Sequence, residues 1–593
     1  MTTSQRLSPP VTFGGALVLG RDGAAALVDA EGGLLAARED VAGHLAGAGR
    51  GGRWVVWTAR SVSALLDGPA PTAALDRTWD LAEVHRLLHG GSAAEPGRVW
   101  AAAHDLDTAG LPVAPSGDLF DLLAEEPDAD LLVLPDGHLR PSVLAWADTD
   151  ERCAALARAG LQVARWQHAQ VAERGRRALL TACSESAAAV LCVELERTGL
   201  PIDRPALDRL LTAAAGPEPR SVEDELSARQ ARDAPVLAAV PGAGRIDLRN
   251  PAGVRRLLSL AGVEVSSTRK WVLEAHREAH PVVPAILAWR KAERVATTYG
   301  WRWRREHVGA DDRLRGAWSA ADGAAGRMTA QAGLHNLPAE LRPAVAAAPG
   351  HVLVRADLGQ IEPRVLAAVA SDGALAAATR EPDLYAPVAE RLGVERAVAK
   401  VAVLAAMYGQ RSGSAGEALR GLERAYPVAM RALQAAAETG ARGEPVRTFG
   451  GRTVRTDLSL GERVLRAQLG PGEAPREVED GSGSRSAAAD ADQERWRDAA
   501  RGRFARNAII QGSAAELFKV WAVTARVGLR ALDARIVLCL HDELIVHVPR
   551  QHAQAAVTVV EGSLQDAARW WVGDDAVRFV ADLQVVQRWS DVD

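Results

Sequence analysis

The sequence predicts an α/β unit over about the first 175 residues, followed by a larger, mainly helical unit into which a few apolar strands are set. Three observations carry that expectation. Near the N-terminus, short apolar runs ("RWVVWTAR", "DLLVLPDG") alternate with helical patterns ("SVSALLDG"), as in a sheet covered by helices. From about Glu185 the pattern turns helical: "ESAAAVLCVELERTG" repeats apolar residues at three and four and stops at Gly199, with "LPID" beyond. Much later, two apolar stretches end in carboxylates, and these carry the chemistry.

At 593 residues the chain exceeds one ordinary core, and about two to four domains are expected. Hydrophobic residues make up 48%, largely alanine, with no unbroken apolar run of about 18 residues, so no membrane span is expected. "MTTSQRLSPPVTFGG" lacks a basic segment followed by an apolar one and does not read as a secretion signal. Cys153, Cys183, Cys192 and Cys539 have no ligand spacing and read as thiols in a reducing compartment. A cytoplasmic, nucleoid-associated protein is the expectation. The net charge of −5 decides nothing about nucleic acid, because the placement of charge matters more than its sum.

Between Ile286 and Gly316, eight basic and four acidic residues are interleaved with three tryptophans. Such a segment is either a solvated helix face or a surface that tracks phosphates. "LGPGEAPREVEDGSGSRSAAADADQE", residues 469–494, has no aromatic residue and reads as a disordered insertion. No internal repeat is found.

"HVLVRADLGQIEPRVLAAVA" predicts a strand, Val352 to Ala356, delivering Asp357 ahead of a helix from about Ile361. "ARIVLCLHDELIVHVP" predicts a hairpin, Ile536 to Leu540 and Leu544 to Val548, turning through His541, Asp542 and Glu543. Carboxylates brought together at a sheet edge repel and raise a pKa unless a cation neutralises them. Hard oxygen ligands on a rigid sheet suit Mg²⁺. Acidic sites 185 positions apart do not by themselves establish proximity.

These stretches resemble the motifs of family A DNA polymerases. "ADLGQIEPRVLA" is similar to motif A, "RAVAKVAVLAAMYG" to motif B of the fingers helix and "LHDELIVHVP" to motif C. "RNAIIQGSAAELFK" resembles the palm helix, "GRMTAQAGLHNLP" the segment after the thumb and "VELERTGLPID" the start of the polymerase domain. "RWVVWTARSVSALLDG" and "TWDLAEVHRLLHGG" resemble that family's 3′-5′ exonuclease domain, which implies an α/β exonuclease-like (RNase H-like) domain over residues 1–176, and the motifs above imply an α+β right-hand polymerase over 177–593. Within the latter the resemblance implies a thumb at about 200–320, palm at about 321–375 and 500–593, and fingers at about 376–468.

It further implies a monomer that extends primer-template DNA from dNTPs by two-metal nucleotidyl transfer. Asp357 and Asp542 would hold two Mg²⁺ ions, with Glu543 in support. Glu362 would be the gate against a ribose 2′-hydroxyl, hydrogen-bonded to Tyr408; Gln360 and Tyr385 would join the dNTP site, and His541 would touch the primer end. Arg327, Arg503, Asn507 and Gln511 would contact the duplex, Arg327 and Gln511 at minor-groove acceptors shared by correct pairs. Arg396, Lys400, Leu404 and Tyr408 are spaced by four and make one helical stripe, cationic then apolar, matching a triphosphate followed by a sugar and base. The chain has four lysines, and Lys400 is one of them. A compact, rotatable charge can follow the phosphates and supply a proton to departing pyrophosphate, while the Arg396 fork holds the terminal phosphate.

Departures from the family pattern are specific. Leu404 stands for an aromatic residue, Leu358 and Gly359 for Tyr and Ser, and Tyr385 for a phosphate-binding His, while Pro363 follows the gate in a first turn that tolerates it. In the exonuclease-like segment Asp80 fits one of the four carboxylates such a nuclease needs. "VDAEG" reads as a hairpin turn, and Val62 and the run around Cys153 to Gly160 occupy other acidic positions, so loss of proofreading is expected. The chain opens at this segment, and no 5′ nuclease domain is expected ahead of it. The alternatives are a polymerase fold retained as a DNA-binding scaffold, kept open by Leu404, and a single-subunit RNA polymerase, opposed by Glu362.

Overall fold

The computed structural model describes residues 11–47, 51–67, 74–112, 130–244, 246–409, 415–456 and 487–591. Its first element is a five-stranded sheet ordered Leu34–Ala37, Ala25–Asp29, Phe13–Leu19, Arg53–Val56, Thr78–Asp80. The first three strands are antiparallel and the last two run parallel to Phe13–Leu19. Helices Leu81–His89 and Asp150–Glu173 cover it, with Trp79, Leu81 and Val163 in the core. The "VDAEG" segment is a hairpin turn, in which Asp29 Oδ1 accepts from the amides of Glu31 (3.0 Å) and Gly33 (2.7 Å).

The next helix, Arg176–Thr198, is apolar and long enough to cross a bilayer, yet 72% of its apolar window is buried inside the protein. It is a core helix packed against the 43-residue helix Ala487–Leu529. That long helix, about 65 Å at 1.5 Å per residue, and helix Ala553–Val572 back a four-stranded antiparallel sheet. The strand order is Arg535–Leu540, Glu543–Pro549, His351–Leu358, Ala581–Val586. A separate helical layer, including Val222–Ala238, Pro251–Leu260 and Val282–Thr298, has its own core around Val236, Leu257 and Trp289.

The structure adds detail in three places. In the Ile286–Gly316 segment the tryptophans belong to the core. Trp289, Trp301 and Trp303 are buried and donate to Asp233, Gly216 and Ala332. Basic side chains of the segment pair with acids of the same chain, Arg304 with Asp208 at 2.8 Å and the exposed Arg305 with Glu218 at 2.6 Å. Arg290 and Arg294 donate to the carbonyls of Thr268 and Asn336. Second, most of the expected insertion, residues 469–486, lies outside the described residues, but the long helix begins at Ala487, so 487–494 belong to it. Third, Asp80 does not stand as a free carboxylate. It caps helix Leu81–His89, accepting from Glu83 N at 3.0 Å and Ala59 N at 2.6 Å, which uses both oxygens on backbone amides. All four cysteines are free thiols, three buried and Cys183 half-buried.

One buried ionic cluster ties these layers together. Lys519, on the long helix, lies 2.5 Å from the Glu185 carboxylate and donates to the carbonyls of Gly326 (2.7 Å) and Ala320 (3.2 Å), while Arg452 pairs with Glu185 at 2.7 Å. A buried lysine so saturated fixes its carbonyl partners in place. One of them, Gly326, immediately precedes Arg327.

Candidate active site

The sheet edge gathers the acids. Asp357 lies within strand His351–Leu358, which runs two residues past the expected end at Ala356, and stands directly opposite Glu543 on one side and Asp582 on the other. The hairpin is also tighter than expected. Its strands close at Leu540 and Glu543, leaving His541 and Asp542 as a two-residue turn, with His541 at φ +51°. Leu358 N donates to Asp542 O at 2.9 Å, which locks the turn against the strand and sets Asp542 beside Asp357. Burial and the neighbouring Asp542 push Asp357 up to about 6, and burial raises Asp542 as well. Two half-buried carboxylates at a sheet edge, both made reluctant to ionise by burial and by neighbouring acids, form a donor set that could hold a divalent cation.

Glu543 is placed differently. It is 8% exposed, and its Oε1 accepts from Arg355 Nε at 2.5 Å and Trp589 Nε1 at 2.9 Å. Arg355 also donates to Asp357 Oδ2 at 2.9 Å. Neither Arg355 nor Trp589 is singled out by the sequence reading, although Arg355 lies in the same strand two residues before Asp357.

Above the sheet edge, helix Ile361–Ala370 starts from Gln360, whose φ of +56° reverses the chain sharply. Gln360 is braced through its amide, which donates to Asp383 Oδ1 (2.8 Å) and accepts from Leu384 N (2.7 Å). Arg364, fully buried, donates to the carbonyls of Gly359, Thr379, Glu381, Pro382 and Arg578, so one side chain clamps the turn that follows Asp357. With no carboxylate among these partners, burial brings its pKa down to about 10. Glu362 faces Tyr408, whose hydroxyl donates to Oε2 at 3.4 Å, and Arg327, whose Nη2 donates to Oε1 at 3.4 Å. Burial raises the Glu362 pKa.

Helix Arg396–Tyr408 buries Ala399, Ala402, Val403, Ala405, Ala406 and Met407, and turns the predicted stripe away from that core. Arg396, Lys400 and Tyr408 are exposed and Leu404 is half-buried. Arg396 has an acidic partner that the sequence reading missed. Its Nε and Nη2 donate to Asp383 at 2.5 and 3.1 Å, and its guanidinium lies 5.8 Å from the ring of Tyr385. The signal was local, since Asp383 and Tyr385 share the stretch "EPDLYAPVAERL". Tyr385 is buried, which raises its hydroxyl to about 12 and keeps it neutral. The helix ends at Gly409, φ +72°, where an added Cβ would approach Arg503 Cγ to 3.1 Å.

Arg503, Asn507 and Gln511 follow one another at intervals of four on the long helix, each half-buried among buried neighbours, and so share one face. Arg503 Nε and Asn507 Oδ1 are buried without a hydrogen-bond partner. A cleft of about 190 Å³ brings together Arg327, Gln360, Glu362, Tyr385, Leu404, Gln511, His541 and Asp542, with Ile361 and Pro363 in its wall. His541 packs edge-to-face on His335 with ring centroids 4.5 Å apart. Lys400, Arg396, Arg503 and Asn507 lie outside that cleft, and Asp357 adjoins it through Asp542.

The family described as DNA polymerase family A matches residues 256–438 and 470–591. DNA polymerase I of Chloroflexus aurantiacus is 30% identical over 352 residues, covering 54% of this chain and 33% of that protein. The thermostable DNA polymerase I of Thermus aquaticus is 30% identical over 329 residues, covering 50% and 36%. DNA polymerase theta of Caenorhabditis elegans is 26% identical over 320 residues, covering 51% and 18%. The matches therefore span about a third or less of these relatives. In fold, the chain is similar to the POL domain of Pol1 from M. smegmatis, solved in complex with DNA primer-template and dNTP. The TM-score is 0.62 at 19% identity, covering 98% of this chain and 95% of that one. With the family match extending over more than half of the chain and enclosing the acidic sheet edge, the Glu362–Tyr408 contact and the stripe of Arg396 to Tyr408, the chain belongs to DNA polymerase family A.

Proposed function

We propose that this chain is a template-directed DNA polymerase that adds deoxynucleotides to a DNA primer 3′ end and serves DNA replication or repair. The observation that carries this reading is the convergence of Asp357 and Asp542, 185 positions apart in sequence, on one sheet edge beneath the Arg396–Tyr408 helix. Asp357 and Asp542 are the residues that would hold Mg²⁺, and burial beside other acids raises the pKa of both. When bound, the metal ions supply Lewis acidity to the attacking hydroxyl and to the transferring phosphate.

The chain's own side chains account for binding and selection. Lys400 presents a mobile ammonium for the phosphates, and Arg396 a fork that must exchange Asp383 for the terminal phosphate. Glu362, held between Tyr408 and Arg327, fills the position at which a 2′-hydroxyl would have to fit. Arg327 and Gln511 line the same cleft and would offer donors to the minor groove, while Arg503 and Asn507 present buried, unsatisfied polar atoms along the same helix face. His541, at the turn, is positioned for the primer end.

We further propose that the N-terminal sheet belongs to an exonuclease-like domain without proofreading activity. Its central strand, Phe13–Leu19, carries no acid, Asp29 is used by a hairpin turn and Asp80 by backbone amides. Primer extension on a DNA template with Mg²⁺ tests the whole reading. Wild type should extend with dNTPs and discriminate strongly against rNTPs, Asp542→Ala should not extend, and a 3′-mismatched primer incubated without nucleotides should keep its length. Efficient rNTP use would remove the Glu362 gate, and metal-dependent shortening of the mismatched primer would remove the claim about proofreading.

A further inference from the structure

The acids at the sheet edge form a row rather than a pair. Asp357 stands directly opposite Glu543 on one neighbouring strand and Asp582 on the other, so three carboxylates occupy one rung across three strands, with Asp542 in the adjoining turn. Like charges placed directly opposite across strands are destabilising. Arg355, two residues from Asp357, projects from the same face of the strand because side chains alternate. Its guanidinium reaches the whole rung: Nε to Glu543 at 2.5 Å, Nη2 to Asp357 Oδ2 at 2.9 Å and Nη1 to Asp582 at 3.9 Å. The side chain is 16% exposed, and Trp589 Nε1 holds the same Glu543 oxygen at 2.9 Å.

We propose that Arg355 is a resident counter-cation of the acidic rung, a positioning residue that keeps the carboxylates assembled before metal arrives and competes with metal for Asp357. The inference rests on the polymerase reading of Asp357 and Asp542. Its physics is the geometry of a planar fork. Five donors in one plane can serve two or three carboxylates at once, which a lysine ammonium on the same stem cannot do at these distances. Glu543 is thereby fixed, both its Arg355 and Trp589 bonds falling on Oε1, and Asp357 Oδ2 is occupied while Oδ1 remains for a metal ion. A fixed positive charge in contact with a metal-binding carboxylate also weakens cation binding by direct repulsion. The site is preassembled at the expense of metal affinity.

Mn²⁺ binding to the full chain, followed by electron paramagnetic resonance together with thermal melting, tests this in wild type, Arg355→Met, Arg355→Lys and Asp542→Ala. Arg355→Met should bind Mn²⁺ at least tenfold more tightly than wild type, melt lower than wild type in chelator, and recover more of its melting temperature on adding Mn²⁺. Arg355→Lys should fall between the two, and it provides the comparison if the methionine variant does not fold. Equal or weaker Mn²⁺ binding in the variants would overturn the proposal. Asp542→Ala should abolish the site in every background; if Mn²⁺ binding is indifferent to that change, the metal reading of the rung fails, and Arg355's part in it with it.

Discussion

Lys400 and Leu404 sit one turn apart on the same exposed stripe and make opposite contributions to the proposed nucleotide site. Lys400→Arg keeps the charge but replaces three rotatable donors by a rigid fork with little capacity to give up a proton. Single-turnover insertion should therefore slow by about tenfold or more, as expected for the loss of general-acid assistance, and unchanged turnover would remove that role. Leu404 is half-buried in the cleft wall, where a ring would stack on the sugar or base. Leu404→Phe should lower the KM for dNTP by about fivefold, corresponding to on the order of 1 kcal/mol of aromatic contact, and steady-state kinetics read it directly. Both residues were legible in sequence because a spacing of four has one geometric meaning on a helix. The partner of Arg396 was not: Asp383 reaches it from the start of a different helix, and no periodicity links the two.

At the scale of elements, the long helix Ala487–Leu529 couples the buried ionic cluster to the site. Glu516 on this helix accepts from Thr448 Oγ1 and, at 2.8 Å, from Gly450 N, yet burial pushes its carboxyl up to about 7. The folded pKa lies above the ordinary glutamate value, so the folded state binds the proton more tightly than the unfolded chain. This group's contribution to stability is full below about 4.5 and is lost as pH rises through about 7. Glu516→Gln should flatten the decline in melting temperature between about pH 4.5 and pH 7, while an unchanged slope would place the titration elsewhere. The β-hairpin shows why elements were only partly readable. Apolar runs predicted both hairpin strands, but a two-residue turn with His541 at φ +51° pulled Glu543 into the strand, where register makes it face Asp357. The tryptophan-rich segment stayed ambiguous in sequence, because composition cannot distinguish an arginine reserved for DNA from one bound to Asp208 or Glu218.

Across the whole molecule, the site exists only where distant segments meet: the strand bearing Asp357, the hairpin bearing Asp542, the helix bearing Arg396 to Tyr408 and the helix bearing Gln511. Local patterns supplied each piece, whereas proximity came from the antiparallel pairing of His351–Leu358 with Glu543–Pro549, a contact that no local signal encodes. We propose that this convergence performs templated synthesis. Rapid-quench insertion of a single nucleotide opposite each of the four template bases, by wild type, Asp357→Asn and Asp542→Asn, tests it most directly. Each template base should direct insertion of its complementary dNTP, and either substitution should lower the rate by about a thousandfold or more, roughly 4 kcal/mol in the barrier. Insertion that ignores the template base, or that proceeds at the wild-type rate in either variant, would contradict it.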